Sequence, residues 1–169
     1  MVRTAEMAPR NGRLWARAIG YMCLFGGACF VGLPLILLWL AGAWPPAFRS
    51  REWLAGGGVL FLLGAALSWL AAYHLVTMGQ GTPFPLDPTR ALVTSGPYAH
   101  VRNPQAIATV LMAIGEIASL RSLALWWMLP LILAYLEFLA APYEHRELLR
   151  RHGGEYLAYR NRVPRWIAF

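Results

Sequence analysis

Hydrophobic residues fall in long runs separated by short polar intervals. The first run extends from Ala18 to Trp44 with no ionisable side chain apart from Tyr21, Cys23 and Cys29, and the second from Trp53 to Gln80, interrupted by His74. A third lies between Pro104 and Leu120 and contains Glu116; a fourth, between Ser122 and Tyr143, contains Glu137. An α-helix rises about 1.5 Å per residue, so roughly 20 apolar residues cross a hydrocarbon core about 30 Å thick. The pattern therefore predicts an all-α integral membrane protein with four transmembrane helices, at about 18–44, 53–78, 104–120 and 122–142. The last two form a tight hairpin turning at Arg121-Ser122. A loop (79–103) and a tail (143–169) complete a single membrane domain over residues 1–169. The first run far exceeds the roughly 7–15 apolar residues of a secretory signal, so it is read as a span.

Composition agrees, with 58% hydrophobic and 14% charged residues, which excludes an ordinary water-soluble domain. The basic residues are all arginine, and their distribution predicts orientation. Arg3, Arg10, Arg13 and Arg17 precede the first span, Arg90 and Arg102 sit in the loop, and Arg146, Arg150, Arg151, Arg160, Arg162 and Arg165 in the tail. Arg49, Arg51 and Arg121 fall on the other side. Cytoplasmic loops carry the basic excess, so both termini are expected in the cytoplasm. The net charge of +7 reads as contact with anionic lipid headgroups, not with nucleic acid. Cys23 and Cys29 lie on different faces of one helix and read as small buried residues; no metal-ligand spacing accompanies them.

The segment 79–103 is rich in Gly and Pro, yet Phe84, Leu86, Leu92, Val93 and Tyr98 offer it apolar anchors, so it is expected to be a structured, functional loop. At its end, Arg102-Asn103-Pro104 combines a strong N-cap residue with a proline suited to the first helical position, which sets the start of the third helix. Free amides and the positive end of that helix, reinforced by Arg102, could hold a carboxylate or phosphate; an ordinary capped helix start is the plainer alternative. In the tail, Leu148, Leu149, His152, Tyr156, Tyr159 and Val163 recur at helical spacing, with a break at Gly153-Gly154. That face can lie in the membrane interface or cover the loop. Ionisable groups within spans are costly and often functional, which singles out Glu137 and His74, at similar depth, as substrate-side candidates; Glu116 is expected to reach the opposite interface near Arg121. Gly64 and Ser68 suit close helix packing.

The stretches LVTSGPYAHVRNP (Leu92 to Pro104) and EH-x-x-L-x-x-x-x-G-x-x-Y-x-x-Y-x-x-x-VPRW (Glu144 to Trp166) resemble the membrane methyltransferase superfamily that includes isoprenylcysteine carboxyl methyltransferases and phospholipid methyltransferases, with small bacterial members closest. The resemblance implies S-adenosylmethionine bound at the cytoplasmic face between loop and tail, in a bacterial inner membrane, and a lipophilic or amphiphilic acceptor arriving from the bilayer. It places Arg90, Ala91, Leu92, Val93, Tyr98, Asn103, Pro104, Gln105, Ala106 and Glu144 around the cofactor, with Glu144 and Arg102 in the catalytic role. The chain departs from the family pattern at Asn103, Ala106 and His145, and Ala140 and Ala141 stand near the place of a substrate-contacting arginine in the prenylcysteine enzymes. These departures argue against prenylcysteine carboxyl methylation. A catalytically silent relative that binds cofactor or lipid is the second reading. A small transporter is the third, although neither inverted repeats nor broken helix pairs are visible.

Overall fold

The computed structural model describes residues 12–43, 51–83 and 87–166. Arg3, Arg10, Trp44, Arg49, Phe84, Leu86 and the last three residues of the tail, all used in the expectations above, lie outside the described residues. Among the described residues the fold is entirely helical. The first rod comprises α1 (Gly12–Gly27), a π-helical turn (Ala28–Gly32) and α2 (Leu33–Leu40). The second is α3 (Arg51–Thr77), and the third is α4 (Pro104–Leu120). The last rod runs from a 3₁₀ turn (Leu123–Trp127) through α5 (Met128–Ala134) and a second π turn (Tyr135–Ala140) into α6 (Ala141–Arg162).

Three of these rods are long and apolar enough to cross a membrane, over Gly12–Leu40, Arg51–Thr77 and within Leu123–Arg162, while α4 is a shorter apolar helix. Large apolar side chains such as Leu62, Phe138 and Leu139 stay exposed on the outside of the bundle, as lipid-facing residues do. Two boundaries differ from the hydrophobic runs. The first rod is already helical at Gly12, the first described residue and ahead of the apolar stretch; there Leu14 and Ala18 pack against Val76 of α3 while Arg13 and Arg17 point outward. The tail is not a separate element: α6 continues the last rod beyond the apolar stretch and bends only at Gly153, whose φ of 49° and ψ of −121° break the helix. Each π turn ends two residues before a proline, Pro34 or Pro142. A proline inside a helix lacks the N–H its turn requires and crowds the carbonyl four residues earlier, and a widened turn relieves both.

The bundle is built on the α3–α4 pair. Gly57, Gly64 and Ser68 of α3 are buried against α4, where Gly115 is buried in turn. A Cβ on Gly64 would lie 2.8 Å from the Ala108 carbonyl and 2.9 Å from the Met112 amide. One on Gly57 would strike the Gly115 carbonyl and Ser119. Small residues thus bring the two backbones together where bulkier ones would hold them apart. Leu38, Ala113, Ile117, Leu125, Met128 and Ile132 form the main core on the other side of α4. The hairpin after α4 turns where expected: Arg121 adopts a left-handed conformation (φ 47°) and its guanidinium lies 4.9 Å above the Trp53 ring. Glu116 keeps one carboxylate oxygen buried without a partner among the described residues.

Gly57→Ala should lower stability by about 1–3 kcal/mol through overpacking of backbone on backbone. Gly56→Ala, one residue away in open space, should be neutral or stabilising by up to about 1 kcal/mol from helix propensity. Thermal unfolding of the two variants in the same detergent measures the difference.

Candidate functional site

The loop after α3 is held by its backbone at both ends. At its start, the amides of Arg90 and Ala91 donate to the Gly79 carbonyl at 2.7 and 3.3 Å, and Thr82 is bonded through its amide to the Asp87 carbonyl at 2.9 Å. At its end, Gly96–Ala99 forms a 3₁₀ turn that buries Tyr98. Gly96 is required there: its φ is +59°, and a Cβ would collide with the His74 ring. His74 also lies 3.4 Å from the Ser95 hydroxyl, so it supports this turn from below.

Asn103 caps α4 as its sequence position predicts: its Oδ1 accepts from the Ala106 amide at 2.9 Å and Pro104 occupies the first turn. The other end of the same side chain reaches across to the tail, where Nδ2 donates to Glu144 Oε2 at 3.3 Å. Two further bonds join the segments. The Arg102 amide donates to the Pro164 carbonyl at 2.9 Å, and the buried Tyr159 hydroxyl donates to the Tyr98 carbonyl at 2.7 Å. Burial pushes both phenols up, Tyr98 well above its ordinary range and Tyr159 to about 12, with Glu144 adding to each. Both remain neutral hydroxyls at working pH.

Where loop and tail meet, a cleft of about 230 Å³ opens between the first and last rods. Its inner wall carries Leu92, Val93, Tyr98, Asn103, Gln105 and Ala106, with Arg102 beside them and Glu144 opposite. Of the other residues placed at the site from the sequence, Arg90 and Ala91 are exposed on the loop and do not line the cleft, and Pro104 is fully buried in the packing beneath it. An adjoining hollow of about 320 Å³ shares Arg102, Asn103, Glu144, Leu148 and Tyr159 and adds His145, Tyr156, Arg160 and Arg165. His145 Nδ1 is 3.0 Å from the Tyr156 hydroxyl.

Glu137 lines only this second hollow. Its carboxylate is taken up by Arg165 Nη1 at 2.9 Å and Trp166 Nε1 at 3.2 Å, which pins the chain end against the last rod. His74 lines neither space. The outer cleft is formed by residues that sequence reasoning did not select: Tyr21, Met22 and Phe25 from α1, and Tyr135, Leu136 and Tyr143 from the last rod. Nothing local marks them, because their positions around the cleft depend on how separate rods are arranged.

A family model described as phospholipid methyltransferase matches residues 53–153, well over half of the chain. The chain belongs to the phospholipid methyltransferase family. That family is part of the isoprenylcysteine carboxyl methyltransferase-like superfamily. Neither a curated protein nor a solved structure gives a significant match. Membership of the phospholipid methyltransferase family, together with the apolar rods, makes this a membrane protein of methyltransferase type. The matched stretch includes α3 from Trp53 on, the loop, α4 and the last rod up to the Gly153 bend. The first rod and the Tyr156–Trp166 end of the tail, which complete the cleft and the hollow, lie outside it.

The polar atoms at the cleft are unevenly satisfied. Gln105 donates to Ser68 at 2.6 Å, but among the described residues its Oε1 is a buried acceptor with no partner, and Arg102 Nε is a buried donor with none. Glu144, just beyond the apolar part of the last rod, has its carboxyl pushed up from 4.5 to about 7, because burial outweighs the opposing pull of Arg165 and Arg102. A donor, a neutral acceptor, a carboxyl poised near neutrality and an aromatic face therefore share one apolar cleft. That set suits a ligand bearing an anionic group, a hydrogen-bonding heterocycle and a cationic centre.

The raised value of Glu144 has a sign. The folded state holds this proton more tightly than the unfolded chain does. The group's stabilising contribution is therefore complete below about 4.5 and lost as pH rises through about 7. The unfolding midpoint of the natural chain should drop as pH rises from 4.5 to about 7 and level off above that, and Glu144→Gln should flatten the drop. A pH series of thermal melts on both proteins tests it; parallel curves would remove Glu144 as the source.

Proposed function

We propose that this protein transfers a methyl group from S-adenosylmethionine to a lipophilic or amphiphilic acceptor at the cytoplasmic face of a bacterial inner membrane. The observation that carries the reading is the cleft that joins Tyr98, Asn103 and Glu144 at its inner end and opens between apolar rods at its outer end. The cofactor, when bound, supplies a methyl group made electrophilic by its sulfonium. The chain's own residues supply position and surroundings. Arg102 Nε is free to hold a carboxylate, Gln105 Oε1 to accept from an amino group of the base, and Tyr98 to present an aromatic face. Glu144, as carboxylate, faces a cation, and with a value near 7 it can also take the proton that a hydroxyl, thiol or protonated amine acceptor must release. Little covalent help is needed for such a transfer; an in-line approach and a dry site dominate, and the apolar walls favour both.

The proposed orientation follows from charge. Arg13, Arg17, Arg90, Arg102 and the tail arginines gather at the loop end of the bundle, whereas Arg51 and Arg121 lie at the hairpin end, so the loop end is placed in the cytoplasm against anionic headgroups. A catalytically silent relative that only binds cofactor or lipid is the alternative. It is favoured by His145, which is engaged with Tyr156 instead of contributing a second carboxylate beside Glu144.

Binding of radiolabelled S-adenosylmethionine to the purified protein in nanodiscs should weaken at least about tenfold in Asn103→Ala and in Glu144→Ala, the loss expected for removing a hydrogen-bonded or charge-paired group. Affinity should rise with pH through about 7 in the natural chain as Glu144 ionises, but not in Glu144→Gln. Label appearing in extracted bacterial lipid separates the enzyme from the silent relative. Undiminished binding in both alanine variants would reject these site assignments.

A further inference from the structure

The chain leaves its last helix beside the second hollow and is fastened there on two sides. α6 ends at Arg162, and Val163 turns into an extended conformation (φ −115°, ψ 124°) ahead of Pro164, which has no amide to continue the helix. On the loop side the Pro164 carbonyl accepts from the Arg102 amide at 2.9 Å. On the rod side both oxygens of Glu137 are engaged, Oε2 by Arg165 Nη1 at 2.9 Å and Oε1 by Trp166 Nε1 at 3.2 Å. Arg165 Nη2 also reaches the Leu136 carbonyl at 3.4 Å. That carbonyl belongs to the second π turn and already accepts from the Ala141 amide; a widened turn leaves it room for a second donor.

Trp166 packs against the main core, which by itself would hold the chain end. What the carboxylate adds is a fixed guanidinium. An arginine near a chain end otherwise keeps its long side chain in many rotamers, and pairing removes that freedom. Glu137 and Glu144 lie about two helical turns apart on the same rod, and both line the hollow together with Arg165. The groups around Glu144 are Tyr98 and Arg102 from the loop, Tyr156, Tyr159 and Arg160 from beyond the Gly153 bend, Arg165 from the chain end, and Tyr143, His145 and Glu147 on its own rod. Of the cations among them, Arg165 is the one that a second carboxylate holds in place. Burial pushes the Glu144 carboxyl up, and Arg165, ahead of Arg102, pulls it back.

We propose that Glu137 is a positioning residue of the site: acting through Arg165, it fixes a positive charge beside Glu144 and so keeps that carboxyl able to ionise in its buried place. The consequence for methyl transfer rests on the reading of Glu144 as a cofactor contact. The coupling of the three residues does not depend on it.

The full chain, labelled with carbon-13 in its glutamate carboxyls and held in detergent micelles, lets Glu144 be followed by NMR through a pH series without cofactor; its signal is the one missing from Glu144→Gln. It should titrate at about 7. Arg165→Gln, which lies beyond the last helix, should move that midpoint upward by about one pH unit, and Arg165→Lys, which leaves Glu137 a cation to hold, by far less. Glu137→Met and Glu137→Ala should also move it upward, and Glu137→Met combined with Arg165→Gln no further than Arg165→Gln alone, because one residue acts through the other. Direction separates the roles. Removing an anion that acted directly on Glu144 would lower the midpoint, and removing a mere anchor for the chain end would leave it in place. A downward shift or none in a folded Glu137 variant, no shift in Arg165→Gln, or additive shifts in the double variant would each overturn the proposal; thermal melts identify the folded variants. The pH midpoint of S-adenosylmethionine binding should follow the same shifts. Carboxyl shifts as stated with a binding midpoint that does not follow would sustain the positioning role and reject Glu144 as a cofactor contact.

Discussion

The site depends on the seam between the loop and the tail. Three hydrogen bonds form it: Tyr159 hydroxyl to Tyr98 carbonyl, Arg102 amide to Pro164 carbonyl, and Asn103 amide to Glu144 carboxylate. Each joins groups that are some forty to sixty positions apart in sequence. Backbone and phenol groups placed at the edge of an apolar bundle lose water, and each must recover a partner or destabilise the fold. These groups find one another, and the cleft is the space left between the segments they hold.

Asn103 shows how one residue serves both levels of structure. Its carbonyl oxygen satisfies an amide at the start of α4, a local requirement of any helix. Its amide nitrogen then couples that helix start to Glu144 on the last rod. The carboxyl it meets is destabilised as an anion by burial and only partly rescued by Arg102 and Arg165, which leaves it near neutrality. A carboxyl so balanced responds to a nearby cation or proton more readily than a fully paired one.

The same economy of close approach governs the bundle. Glycines at 57, 64 and 115 let α3 and α4 meet backbone to backbone, and this brings Ser68 within 2.6 Å of Gln105 at the base of the cleft. In an apolar solvent helices gain little from hiding side chains from each other, so packing and the occasional polar bond decide which faces meet. Prolines have the complementary effect. Pro34 and Pro142 each follow a widened turn, and the two rods that carry these turns are the ones that flank the cleft.

Long apolar runs sufficed to reveal an all-helical membrane protein, since span length is a direct consequence of bilayer thickness. The cap at Asn103-Pro104, the turn at Arg121 and the break at Gly153 were equally legible, because each is a local backbone requirement. The prolines also stood in plain view as a signal for irregular turns, although hydropathy alone passed over them. Most of the inner wall of the cleft could be named from two stretches of sequence. That loop and tail meet was implied by the family resemblance, but the hydrogen bonds by which they do so, the turning away of Arg90 and Ala91, and the use of Glu137 as an anchor for Arg165 and Trp166 could not be read from the sequence. Nor could the contribution of Tyr21, Phe25 and Tyr135, which local sequence does not distinguish from other lipid-facing aromatics. What the sequence determined by itself is what depends on neighbours along the chain: helix existence, caps and breaks. Which side chains share a cavity depends on the relative placement of rods, and only the tertiary packing of close-approaching glycines and buried hydrogen bonds decides that.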